Sequence, residues 1–201
     1  MIPMLKAILF DMDGVIVDSE PLHKKAYYKM FEEVNIEVPV SLFESFTGQS
    51  TLKICETLCK DFSLTQDPKE LVFLKRKHFK NIFENDSNFQ LIDGVLDLIK
   101  DYTANGLKLV LASSASMVTI NNIFNKFELD KYFIAKLSGA DLKASKPHPE
   151  IFINAAIASG FKKEECFVIE DSTNGITAAN SAGIYCVGFD SYHSKTQDYS
   201  Q

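Results

Sequence analysis

Seven polar residues stand where short apolar runs stop. Asp11 and Asp13 follow KAILF at 6–10, and Ser113 and Ser114 follow LKLVLA at 107–112. Lys146 lies in the segment SKPHP at 145–149, and Glu170 and Asp171 follow CFVI at 166–169. Carboxylates brought together repel one another unless a cation sits among them. Hard oxygen ligands, with no His or Cys cluster, select Mg²⁺. A lysine and serines beside that ion make a site for an anion, most naturally a phosphate. A carboxylate can attack phosphorus and form an aspartyl phosphate, a role that suits Asp11 at a strand end. Asp13, two residues on across a turn set by Gly14, can protonate the leaving oxygen and later take a proton from water. Mg²⁺ and Lys146 would neutralise charge on the transferring group.

Each residue alone has a plainer reading. Asp11 and Asp13 end a strand and start a turn. A calcium loop of the EF-hand type fails, because the fifth position is Val15 rather than an acid or amide. Ser113 reads as a helix N-cap, Lys146 as a surface lysine, and Glu170-Asp171 as a cap for the next helix. The order and placement of the whole set favour one site.

That site requires elements to carry it. Runs of four to six apolar residues without alternation fit strands buried on both faces. Five occur, at 6–10, 107–112, 132–137, 166–169 and 184–188. Helical patterns lie between them at 94–105, 117–127, 149–159 and 174–182, with Gly106, Gly160 and Gly183 as stops. This alternation predicts an α/β fold with a doubly wound parallel sheet. A gap of about 90 residues separates the first two strands. It reads helical at 21–34, 50–61 and 68–83, with Asp18 or Ser19 capping the first helix. The expected division is a core of 1–16 and 86–201, with a helical cap of 17–85 over the carboxyl ends of the strands, where ligands bind in open sheets.

The chain has 201 residues, of which 46% are hydrophobic and 24% charged, with a formal net charge of −6. This is ordinary globular composition. An acidic chain has no electrostatic case for nucleic acid or an anionic membrane. No apolar run reaches the roughly 18 residues of a membrane helix, and no signal-peptide pattern follows the apolar start. Cys55, Cys59, Cys166 and Cys186 form no CxxC pair and read as reduced thiols in cytoplasm. No long exposed apolar stripe demands a dimer, so a monomer is expected.

The quoted segments resemble the haloacid dehalogenase (HAD) superfamily, in its branch of phosphatases and β-phosphoglucomutases with a small helical cap. The resemblance rests on FDMDGVIVDSEP at 10–21, LASS at 111–114, SKPHPEIF at 145–152 and VIEDSTNGITAANSAG at 168–183. It implies a Rossmann-like core with Asp11 as nucleophile and Asp13 as general acid and base. Ser113 and Lys146 would hold the transferring phosphate, with Ser114 beside them. The Asp11 and Asp171 carboxylates and the Asp13 carbonyl would hold Mg²⁺, with Glu170 a direct or indirect partner. His23 lies where β-phosphoglucomutases carry a histidine that couples substrate binding to closure. Thr47 and Gly48, in FTGQS at 46–50, fall in the family's substrate-specificity loop.

There the chain departs from the mutases. They carry a lysine just before this glycine and an arginine three residues after it, where this chain has Thr47 and Thr51. Losing two charge-assisted contacts of roughly 1.5–3 kcal/mol each disfavours a bisphosphate intermediate. The expected activity is Mg²⁺-dependent hydrolysis of a small phosphorylated metabolite such as a sugar phosphate. The alternatives are β-phosphoglucomutase and a non-catalytic phospho-ligand sensor. The run Lys75-Arg76-Lys77 with Lys80 either partly replaces those two cationic contacts or, as the plainer reading, forms a solvated helix face. Phe31, Phe43, Phe73, Phe79 and Phe83 read as cap core. The polar stretch 191–201 is either loose or followed by further chain.

Overall fold

A computed structural model describes residues 4–46, 49–191 and 197–200. Five parallel strands form one sheet: β1 (Ala7–Phe10), β2 (Lys108–Ser113), β3 (Phe133–Ser138), β4 (Cys166–Glu170) and β5 (Tyr185–Gly188), in the spatial order β3-β2-β1-β4-β5. Every residue of β1 is buried. Its side chains alternate between two cores. Ile8 and Phe10 join Leu109, Leu111 and Ile169 on one face, while Ala7 and Leu9 join Val110, Ala112 and Val168 on the other. A strand buried on both faces needs no polar alternation, which is why its sequence reads as an unbroken apolar run.

Helices cover both faces. On the first lie α5 (Val95–Ala104) and α6 (Met117–Phe127); on the second, α7 (Glu150–Ser159) and α8 (Thr173–Ala182). The segment between β1 and α5 holds α1 (Glu20–Glu33), α2 (Val40–Glu44), α3 (Thr51–Asp61) and α4 (Pro68–Asn85). These helices enclose an apolar cluster of their own, centred on Tyr27, Met30, Phe31, Ile54, Leu58 and Leu71. The N-terminal end of α1 and the C-terminal end of α4 instead join the sheet core through Leu22, Ala26, Phe79 and Phe83. The helical insert is therefore packed into the sheet core at both of its roots.

Several local expectations change. The five-residue α2 was not expected, because so short a helix shows no period; none of its residues is buried. Ser19 occupies the N-cap of α1 without a side-chain cap bond. Its hydroxyl donates instead to the Asp13 carboxylate. Phe73 is exposed and lies outside the cap core. Lys75 is not on a solvated face: it is 4% exposed, because it shares the inner face of α4 with Leu71 and Phe79. The C-terminal stretch 197–200 is docked against the start of α8. Among the described residues, no helix is long and apolar enough to cross a membrane.

Candidate active site

The parallel register brings the carboxyl ends of β1, β2 and β4 to one edge. β1 is flanked by β2 on one side and β4 on the other, so a crevice opens beyond its end. A cavity there lies between the sheet edge and the helical insert. Asp11, Asp13, Ser114, Lys146, Glu170 and Asp171 line its floor; His23, Tyr27, Phe43, Phe46, Thr51 and Lys75 belong to its roof.

Lys146 organises the floor. It is 3% exposed, and its Nζ donates to Asp11 Oδ1 at 2.6 Å and to Glu170 Oε1 at 2.7 Å. The other oxygen of Glu170 accepts from the Ser172 amide at 2.7 Å and the Ser172 hydroxyl at 2.9 Å. Ser172 is also the N-cap of α8, accepting from the Gly175 amide at 3.1 Å. The residue after Glu170-Asp171, and neither of that pair, therefore caps the helix. Ser113 is likewise not a cap. It is fully buried, its hydroxyl accepts from the Ala115 amide at 3.0 Å, and Ser116 caps α6.

Burial dominates the electrostatics of the floor. It raises the Asp11 carboxyl to about 8; Lys146 opposes the rise, while Glu170 and Asp13 add to it. It raises Asp171 to about 9, again with help from Glu170 and Asp11. The two carboxylates bonded to it hold the Lys146 ammonium above its ordinary range, against the opposing effect of burial. Of three buried carboxylates, Asp11 and Glu170 share the Lys146 ammonium while Asp171 bonds the Ser191 hydroxyl, and the cluster is short of positive charge. Gly14 makes the close packing of Asp171 possible. It adopts φ +80°, and a Cβ there would stand 2.0 Å from Asp171 Oδ2. Any side chain at position 14 would displace that carboxylate.

A second line of polar groups crosses from floor to roof. Asp13 Oδ1 faces the Ser19 hydroxyl and His23 Nε2, the latter at 3.3 Å. His23 Nδ1 lies 2.7 Å from Lys75 Nζ. An ammonium only donates, so Nδ1 must accept and Nε2 keeps the proton directed at Asp13. Phe79 stacks on the His23 ring at 4.4 Å and 18°. Burial acts to raise Asp13, but His23, Ser19 and Lys75 outweigh it and hold the carboxyl below its ordinary value. Burial lowers Lys75 to about 8, with Asp13 and Glu20 opposing.

Asp11, Asp13, Ser114, Lys146, Glu170, Asp171 and His23 thus border one cavity. Ser113, the last residue of β2, is fully buried and does not line the cavity. Thr47 and Gly48 lie outside the described residues, whereas Thr51 is at the roof. Lys75 was missed as a site residue. Its spacing of four from both Leu71 and Phe79 was the available signal, and the neighbouring Arg76 and Lys77 hid it. Among the described residues, no three His, Cys, Asp or Glu side chains are grouped to hold a metal ion by themselves.

Fold and site together define an α/β enzyme with a strand-end carboxylate–lysine centre under a helical insert. The family model of the haloacid dehalogenase-like hydrolases matches residues 8–189, and the chain belongs to that family. Relatives include the 6-phosphogluconate phosphatase of Escherichia coli (strain K12), 29% identical over 90% of this chain and 80% of that protein. The β-phosphoglucomutase of Bacillus subtilis (strain 168) is 27% identical over 92% of this chain and 83% of that one. The crystal structure of β-phosphoglucomutase from Clostridium difficile superposes with a TM-score of 0.84 at 28% identity, covering 96% of this chain and 88% of that one. The chain falls in the branch of the family that contains phosphatases and β-phosphoglucomutases.

Proposed function

We propose that the protein is a Mg²⁺-dependent phosphatase of small phosphorylated metabolites, sugar phosphates foremost, working through an aspartyl phosphate on Asp11. The observation that carries this reading is the buried floor, where Lys146 ties Asp11 to Glu170 within 2.7 Å at the end of β1. The donor set fits Mg²⁺. Mg²⁺ is usually held by one or two carboxylates, with waters and substrate phosphate completing the shell. Asp11 and Asp171, crowded and short of positive charge, supply two; the Asp13 backbone carbonyl is the expected third protein ligand. Both oxygens of Glu170 are engaged by Lys146 and Ser172, which leaves it to hold the lysine. When bound, Mg²⁺ would supply positive charge against the phosphoryl oxygens and keep Asp11 ionised.

An Asp11 carboxylate oxygen attacks phosphorus, the ester P–O bond breaks, and the leaving alkoxide takes a proton from Asp13. In the second half, water attacks the phosphorus of the aspartyl phosphate and gives a proton to Asp13, which releases inorganic phosphate and restores Asp11. Asp13 rests ionised, so it needs a proton once, before the first turnover; in each later cycle the attacking water restores it. The line Lys75–His23–Asp13 offers a route for one. Lys146 and Ser113 or Ser114 hold the phosphoryl oxygens, and the roof excludes bulk water. The expected setting is cytoplasmic, with the chain acting as a monomer on a diffusible substrate.

The composition of the roof favours hydrolysis over mutase chemistry. The one lysine that the described roof residues contribute to the cavity is Lys75, beside the carboxylate of Glu20, while Thr51 is uncharged. A second phosphate would meet little compensating charge. The test is ³¹P NMR with Mg²⁺ and β-glucose 1-phosphate, primed with glucose 1,6-bisphosphate, followed by a panel of other phosphate esters. Inorganic phosphate is the expected product, lost with EDTA and reduced by roughly 10⁴-fold or more in Asp11→Asn. Conversion to glucose 6-phosphate would make the protein a mutase. Full activity in Asp11→Asn would sink the assignment of the nucleophile.

A further inference from the structure

Asp171 is gripped from behind by residues from the end of the chain. The Ser191 hydroxyl donates to Asp171 Oδ2 at 3.2 Å. The Tyr199 hydroxyl lies 2.8 Å from the Asp171 carbonyl oxygen and 3.2 Å from the Phe189 carbonyl oxygen, and its single proton is shared between them. Two further bonds fix the next turn. The Thr173 amide donates to Gln197 Oε1 at 2.8 Å, and the Asp198 amide donates to Thr173 Oγ1 at 2.7 Å. Thr173 is the first residue of α8, so Gln197 satisfies one of the orphan donors of that helix. The ring of Tyr199 lies flush against the end of β5. A Cβ on Gly188 would stand 2.6 Å from Tyr199 Cδ1, so this seat exists because position 188 is glycine.

These contacts converge on three consecutive residues. Asp171 is held at its carbonyl and its carboxylate, and Thr173 at its amide and hydroxyl. Between them lies Ser172, which holds Glu170. The same carboxylate oxygen, Asp171 Oδ2, also abuts Gly14. The carboxylate is therefore fixed where the β1 loop and the residues after β5 meet. Nothing else in the proposed chemistry uses Ser191 or Tyr199.

We infer that Ser191 and Tyr199 are positioning residues for Asp171, and that the stretch 197–199 acts as a strap that sets its carboxylate to receive the divalent cation. This rests on the proposed Mg²⁺-dependent reading and extends it to residues that touch neither substrate nor reacting atoms. Groups that orient a metal-holding side chain typically affect metal affinity by about 10- to 100-fold.

The test is isothermal titration of Mg²⁺ into the metal-free full chain, wild type against Ser191→Ala and Tyr199→Phe, with Ser191→Thr as the conservative control. Both deletions remove one hydroxyl and leave the packing volume nearly intact. The expected result is Mg²⁺ affinity weakened about tenfold in each deletion and restored in Ser191→Thr. Turnover should need correspondingly more Mg²⁺ but reach a similar value at saturation. The melting temperature in EDTA should be little changed, which separates positioning from a general loss of stability. Affinities within twofold of wild type in both deletions would overturn the strap and leave the phosphatase reading standing. A wild-type chain that takes up no Mg²⁺ would overturn both.

Discussion

The molecule buries two lysines at one cavity, and they are opposite cases. Lys146, on the floor, meets two carboxylates within 2.7 Å, and its ammonium is held more firmly than in water. Lys75, on the roof, meets an imidazole nitrogen at 2.7 Å and the faces of Tyr27 and Phe79 at 4.8 and 5.1 Å. Burial brings its ammonium down to about 8. Equal burial thus gives a locked charge in one place and a labile proton in the other. The deciding variable is the partner, because desolvation of an ion is offset only by opposite charge or strong acceptors nearby. Under the proposed mechanism the floor would hold charge fixed while a phosphoryl group passes, whereas the roof would lend a proton to Asp13.

The largest effect should come from breaking the locked side. Lys146→Met leaves Asp11 and Glu170 buried without their cation and should cost about 3–5 kcal/mol in metal-free protein. Urea unfolding in EDTA at pH 8 measures it. The loss should shrink as pH falls below about 8, where Asp11 takes up a proton.

A second test asks whether the floor lacks positive charge. Asp11 and Asp171 stand near 8 and 9 in the folded chain against 3.8 ordinarily. Between about pH 4 and pH 9 the native state therefore binds more protons than the unfolded state. Their contribution to metal-free stability falls as pH rises through that window. Mg²⁺ held by these carboxylates would compete with those protons. Calorimetry should show a larger gain in Tm from Mg²⁺ at pH 8 than at pH 6. An equal gain at both would mean that the ion binds away from these carboxylates.

The smallest effect on stability belongs to the labile side. Lys75→Met removes a desolvated ammonium whose nearest partner is uncharged, and should change stability by no more than about 1 kcal/mol at pH 7. Its folded value near 8 lies below the ordinary 10.5. The unfolded chain therefore binds the extra proton between those values, and the Lys75 contribution to stability rises with pH across that window. Lys75→Met should abolish that rise in urea unfolding series. A large loss of stability would mean that the roof lysine is as firmly paired as Lys146.

The two lysines also differ in how well their sequence surroundings announce them. Lys146 sits in a Pro-bounded loop that follows a strand, and that setting marks it out as a site residue. Lys75 sits among Arg76, Lys77 and Lys80, where local charge predicts solvent. It is buried because α4 turns that one position toward α1 and the cavity. The rule that a charged run is a solvated face holds for most of such a run and fails at the position a partner helix covers. Ser19 carries the same lesson: its type and place predict a helix cap, yet the nearby Asp13 carboxylate is a better acceptor for its hydroxyl than the first amides of α1 are as donors.

The amino-acid pattern alone determined the order of strands and helices and the parallel sheet. It also located the insertion after β1 and the residues that gather at the strand ends. These are legible because burial on both faces forces continuous apolar runs, and because polar residues can follow them only where the sheet edge opens. Tertiary structure alone decided which groups share protons and charge. The bridge from Lys146 to Asp11 and Glu170, the line from Lys75 through His23 to Asp13, and the strap from Tyr199 to Asp171 join residues far apart in the chain. Local propensity records how each segment prefers to fold, but hydrogen bonds and desolvation depend on distances that exist only once the segments have packed.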